Sequence, residues 1–285
     1  MVNVCVLQTD NRLDLDYFLL TKEVNKKFCA YFDYTYKFVY LDTSKYNMDP
    51  RTAKIFIVNE FLQQSTDDIL VFLDSDAWIQ DGFSLRDIIN HLNLSINKHG
   101  CFSRDPYVKR NTYINSGSFL LKNNEYVKNM YKNLTELVSN DINNKVFPEW
   151  DDQFYLSNYV FNNKDDFIVF VPEVLNTPFG KVLRHNWCKK SKKLYDDLNA
   201  IILLKKDDIT YNRSTRRNGK NWAKNSTRCY RRLINKTDIN YNFNKESLEN
   251  NLLLETKFNY PFQLDLYYDE ECFPNTEEYG FQYFV

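Results

Sequence analysis

The run ILVFLD, residues 69–74, constrains this chain more than any other stretch. It is apolar until its last residue and shows no alternation of polar and apolar side chains. A strand with one wet face alternates; a strand covered on both faces does not. The run therefore reads as a central strand of a sheet with helices on both sides. Strand-like and helix-like patterns alternate around it. Strands are expected at VNVCVLQ (2–8), YKFVYL (36–41), HGCFS (99–103), YINSGSFLLKN (113–123) and FIVFV (167–171). Helices are expected at 14–32, 51–64, 82–92, 124–140 and 151–161. The alternation predicts an open, mostly parallel, Rossmann-like α/β sheet with flanking helices, and such sheets bind ligands beyond the carboxyl ends of their strands.

Composition supports a folded core. Hydrophobic residues make up 43% of 285 and charged residues 26%, which excludes global disorder. The net charge of −1 gives the whole chain no bias toward nucleic acid. The six cysteines are scattered with no CxxC pair, which argues against structural zinc and for reduced, buried thiols. No signal peptide or membrane-length apolar run is seen, so a soluble, cytoplasmic protein with no membrane span is expected. The Asn-, Lys- and Tyr-rich composition hints at a viral or microbial genome. The pattern changes after about residue 190. Residues 213–232 carry eight Lys or Arg and no acid, and residues 257–285 are aromatic and acidic. The expected organisation is a core at 1–190 and a C-terminal extension or accessory lobe at 191–285.

The central run ends in Asp74-Ser75-Asp76. In an extended chain, side chains two apart share a face. Asp74 and Asp76 can converge on one point while Ser75 faces away. Two carboxylates at a strand end can hold a divalent cation, and the cation can hold a diphosphate. Asp14 and Asp16 form a second D-x-D with no buried strand before it, and read as a solvated helix start.

Lys54 lies on the preceding helix. INSGSFLLKN (114–123), EWDDQF (149–154) and RHNWCKK (184–190) follow the aspartates. Together with DSDA (74–77) and NKKFCAYFDYTYKFV (25–39), they resemble the retaining glycosyltransferase family of xyloglucan xylosyltransferases, galactomannan galactosyltransferases and yeast mannosyl- and galactosyltransferases. The resemblance covers roughly residues 2–190 and implies a GT-A fold. It implies that Asp74, Asp76 and His185 ligate a metal, and an imidazole beside two carboxylates favours manganese, with magnesium the alternative. It places Asp74 and Ser75 near the donor ribose and seats the nucleoside at Gln8, Thr9 and Asp10. It places Lys54 and either Lys189 or Lys190 against the diphosphate, where charge grows as the sugar leaves. Here the family's H-x-x-G-C-K lacks its glycine and is one residue shorter, so both lysines remain candidates. Asn115, Ser116 and Gly117 would border the donor sugar. Asp151, Asp152 and Gln153 would lie near donor and acceptor, with either aspartate the nucleophile if the reaction is covalent.

The implied activity is sugar transfer from a nucleotide-sugar, a UDP-sugar before GDP-mannose, to a glycan or glycoconjugate hydroxyl with retention of configuration. A nucleotidyltransferase is disfavoured because LQTDNRLD has no Gly-rich phosphate loop. A non-enzymatic alternative is nucleic-acid or glycan binding through 213–232, where Trp222 and Tyr230 interleave with the cations. Neutralisation of that segment by the acidic tail is favoured over nucleic-acid binding.

Overall fold

The apolar run is the middle of a six-stranded sheet. A computed structural model describes residues 2–46, 48–105, 114–144, 152–170, 172–176, 180 and 182–186. In chain order the elements are β1 (Val4–Asp10), α1 (Asp16–Phe32), β2 (Thr35–Tyr40), α2 (Thr43–Tyr46), α3 (Pro50–Gln64), β3 (Ile69–Asp74), β4 (Ala77–Ile79) and α4 (Gly82–Leu94). Then follow β5 (Gly100–Arg104), β6 (Ile114–Lys122), α5 (Glu125–Asn143), α6 (Asp152–Asn162), β7 (Phe167–Phe170), α7 (Pro172–Leu175) and β8 (Leu183–His185).

The sheet runs β2-β1-β3-β6-β5-β7. β3 divides its side chains between two cores. Ile69, Val71 and Leu73 pack with Phe18, Val24 and Phe28 of α1 and with Ile88 and Leu92 of α4. Leu70 and Phe72 pack with Val58 and Phe61 of α3 and with Met130 and Tyr131 of α5. Every position from 69 to 73 thus meets a helical layer, which explains the missing alternation.

The sheet is mostly parallel, as expected, with one reversed strand. β1 pairs in parallel with β2 and β3, and β5 with β7, but β6 is antiparallel to both β3 and β5. The cause is the connection between β5 and β6. Residues 105–113 are too few for a crossover of a dozen or more residues, so the chain returns the other way. The sheet remains mostly parallel, with five of six strands aligned.

Local signals set the helix starts. Asp49 accepts the Arg51 N–H and Pro50 occupies the first turn of α3. Asn124 accepts the Val127 N–H at the start of α5. Asp14 and Asp16 are exposed at the start of α1, as expected of a solvated helix start. Cys5, Cys29 and Cys101 are buried free thiols. No described helix is long and apolar enough to cross a membrane. The segments 213–232 and 257–285, with the proposed lobe at 191–285, lie outside the described residues.

Candidate metal centre

The backbone after β3 is held from beneath by buried side chains. Gln8 Nε2 donates to the carbonyl oxygens of Asp74 and Ala77 at 3.0 and 3.2 Å. The Tyr36 hydroxyl donates to Gln8 Oε1 at 2.8 Å. Thr21 Oγ1 donates to the Ser75 carbonyl at 2.6 Å, and Asn25 Nδ2 to the Ala77 carbonyl at 3.2 Å. Asn25 Oδ1 accepts the Ile79 N–H at 2.9 Å. Gln8, Thr21 and Asn25 are all fully buried. A buried carbonyl without a partner is destabilising, so these contacts fix the path of residues 74–79.

A second strand reaches this turn from far along the chain. β8 pairs antiparallel with β4, setting His185 opposite Ala77. The Asn186 N–H donates to the Asp76 carbonyl at 3.0 Å. His185 Nε2 then lies 3.1 Å from Asp76 Oδ1 and 3.6 Å from Asp74 Oδ2. The ring rests on the backbone of β6, and a Cβ at Gly117 would stand 2.0 Å from its Cε1. The glycine expected to border the donor sugar accommodates the imidazole.

His185 Nδ1 meets two amide oxygens, Asn115 Oδ1 at 3.1 Å and Asn176 Oδ1 at 2.9 Å. Both amide oxygens accept, so Nδ1 donates to them, while Nε2 faces the carboxylates within hydrogen-bond distance of Asp76 Oδ1. Burial alone would pull the imidazole pKa down. The charge of Asp76, its hydrogen bond and the charge of Asp74 outweigh burial and raise it. A lone pair between two carboxylates favours a proton or a cation. Ligand atoms of Asp74, Asp76 and His185 lie within 4.8 Å of one another, a grouping that could hold a metal ion. Two carboxylate oxygens and one imidazole nitrogen suit a divalent ion such as manganese or magnesium.

Lys54 of α3 links this group to α6. Its Nζ is 3.0 Å from Asp74 Oδ1 and 3.1 Å from Asp152 Oδ2. Burial opposes its charge, but Asp152 and Asp74 overcome burial and hold its pKa above the usual lysine value. Burial raises the Asp152 carboxyl; Lys54 counters this, and Asp74 adds to it. Lys54, expected at the diphosphate, is thus already ion-paired on both sides.

The remaining expected residues divide by position. Thr9, next to last in β1, lies opposite Asp74, and its buried hydroxyl has no hydrogen-bond partner among the described residues. Asp10 is clasped by Arg12, with Nε and Nη2 each 3.0 Å from one of its oxygens. Ser75 is buried. The Ser116 N–H donates to Gln153 Oε1 at 3.4 Å. Gln8 braces the turn rather than facing outward. Asp151, Lys189 and Lys190 lie outside the described residues.

Sequence reading missed Thr21, Asn25, Asp105 and Asn176. Thr21 and Asn25 had a signal, because they share a helical face with Phe18 and Phe28 and so had to be buried. Asp105 and Asn176 had none.

The order of strands, the D-x-D turn at the end of β3 and the returning β8 can be compared with solved structures. One is a glycosyltransferase involved in glycosylation of the major capsid of PBCV-1, with a TM-score of 0.53 at 15% identity. The match covers 69% of this chain and 99% of that one. This is a glycosyltransferase fold. The glycosyltransferase GlyE of Streptococcus pneumoniae TIGR4 is also similar, with a TM-score of 0.50 at 12% identity, over 78% of this chain and 65% of that one. No protein-family model and no curated protein matches the sequence.

Proposed function

We propose that the protein is a metal-dependent glycosyltransferase that moves a sugar from a nucleotide-sugar to a glycan hydroxyl with retention of configuration. The observation that carries this reading is the convergence of Asp74, Asp76 and His185 beyond the central strand of a glycosyltransferase fold. A divalent cation held by these three residues, manganese before magnesium, would supply the positive charge that offsets the leaving diphosphate.

The chain's own groups fit the rest of the task. Thr9 and Asp10 close β1 at the carboxyl end of the sheet, where a nucleoside would bind. Lys54 keeps Asp74 and Asp152 from repelling each other across the site. Lys189 or Lys190 would add charge at the diphosphate, as the family resemblance implies. Asp152, ion-paired with Lys54 and buried, is suited to orient sugar hydroxyls rather than to attack carbon. Same-face attack then accounts for retention, with the leaving phosphate oxygen taking the acceptor proton and no protein base required. A UDP-sugar is the favoured donor, GDP-mannose the second.

The test is thermal denaturation with Mn2+ and a panel of UDP-, GDP-, CMP- and dTDP-sugars. Ligands that bind only the folded state raise the melting temperature. A metal-dependent rise with one nucleotide class, lost in Asp76→Asn, is expected. Absence of any such rise across the panel would overturn the reading.

A further inference from the structure

The Asp74 carboxylate is shared between two neighbours. Lys54 Nζ lies 3.0 Å from Oδ1 and 3.3 Å from Oδ2, so the ammonium touches both oxygens. Oδ2 also faces His185 Nε2, at 3.6 Å. Asp74 can therefore ligate a cation only by sharing its oxygens with the ammonium or by giving the ammonium up. A divalent cation and an ammonium on one carboxylate repel each other, the more so where water is scarce.

The ammonium is held unequally by its two acids. The Asp74 side chain is 23% exposed and that of Asp152 only 4%. Asp152 is the inner anchor. It opens α6, and the next residue is stitched to the sheet: Gln153 Nε2 donates to Asp105 Oδ2 at 3.0 Å, and its Oε1 accepts the Ser116 N–H at 3.4 Å. Lys54 Nζ lies over the Phe72 ring, 5.8 Å from its centroid. The half of the ion pair open to solvent is thus the Asp74 half. An anion arriving there can take over the ammonium while Asp152 keeps hold of it. A diphosphate has the charge and the acceptor oxygens for that exchange.

We propose that Lys54 restrains Asp74 from the cation until a nucleoside diphosphate draws the ammonium off, so that cation and diphosphate load together. Lys54 is then a positioning residue that acts on the cation through Asp74. This role rests on the metal reading above and adds an order to it: weak binding of the cation alone, tight binding with the nucleotide.

The test is calorimetric titration of the full chain with Mn2+ alone. Lys54→Met frees Asp74 and should bind Mn2+ at least about tenfold more tightly than wild type. Asp152→Asn leaves the ammonium to Asp74 and should bind it more weakly. Damage to the fold would weaken binding in both, so the gain in Lys54→Met separates restraint from support. Should Lys54→Met not fold, Lys54→Met/Asp152→Leu replaces it. There the ammonium and a carboxylate leave together, the charge of the site is unchanged, and binding tighter than wild type is still expected. UDP and GDP are then each titrated with and without saturating Mn2+. By linkage, the factor by which Mn2+ tightens the nucleotide is also the factor by which the nucleotide tightens Mn2+. It should be at least about tenfold in wild type and smaller in Lys54→Met. Mn2+ binding in Lys54→Met and in the double variant no tighter than in wild type, or an equal factor in wild type and Lys54→Met, would overturn the proposal while leaving the metal reading in place. No Mn2+ binding by any form, with or without nucleotide, would bring down the metal reading and the restraint with it.

Discussion

Gly117 and His185 are in such close contact that one added methyl group would overlap the imidazole, 2.0 Å from Cε1 and 2.3 Å from Nδ1. β6 passes directly beneath the ring, and β8, paired to β4, leaves the ring little freedom to retreat. Gly117→Ala should therefore displace His185 and destabilise the fold by about 1–3 kcal/mol, the usual range for overpacking. Calorimetric titration with Mn2+ should show at least about a tenfold loss of affinity, as for other disturbed metal-ligand supports.

Lys54 stands between two acids, and removing it takes the ammonium from both. Breaking a buried ion pair from one side typically destabilises by about 3–5 kcal/mol. Lys54→Met should fall in that range by urea denaturation. The double variant Lys54→Met/Asp152→Leu should recover part of the loss, because one unpaired charge goes with it. A double variant no more stable than Lys54→Met would contradict the ion-pair account.

Gln8 holds two carbonyls of the turn after β3, and Tyr36 holds Gln8. Gln8→Leu leaves the Asp74 contact and one Ala77 contact unmade and should destabilise by about 1–3 kcal/mol for each carbonyl left without a partner. Tyr36→Phe removes only the upstream bond and should cost less. Both should weaken Mn2+ binding, Gln8→Leu the more, when the two are titrated side by side.

His99 gives a pH dependence away from Asp74, Asp76 and His185. Burial, and then the Lys122 charge, hold its pKa below the usual histidine value, with Asp166 opposing. Its ring stacks on Tyr126, and Nδ1 accepts from Asn124 Nδ2, the residue that caps α5. A depressed histidine stabilises the fold above its unfolded value of about 6.5 and loses that contribution as pH falls through the folded value. Protonation would also set an N–H against the Asn124 N–H. The melting temperature of wild type should therefore drop relative to His99→Gln as pH is lowered from 7.5 toward 5. Parallel curves would refute this role.

Long elements were legible because their periods are long enough to register. α5 shows its apolar stripe at Val127, Met130, Tyr131, Leu134 and Val138, and β3 shows two buried faces as an unbroken apolar run. β4 and β8 were not legible, since three residues carry no period, and their pairing depends on contacts distant in sequence. The direction of β6 depended on a connection length rather than on its own residues. At the site, the aspartates were visible by type and spacing, and His185 only through the family resemblance. Their supports were less so. Gln8 was expected to seat the nucleoside, yet its amide is occupied by the turn, because a buried side chain answers the nearest unpaired carbonyl.

The pairing of β4 with β8 has a consequence for the order in which the site comes into being. Asp74 and Asp76 are synthesised early, with the first half of the sheet. Their imidazole partner is delivered only when residues 182–186 have been made and have docked on β4. A nascent chain that has folded its central strands but not yet β8 carries two converging carboxylates with no nitrogen beside them. Domains fold as units during synthesis, N-terminal parts first. A third ligand for any cation therefore arrives only with β8, after all six strands of the main sheet have been made.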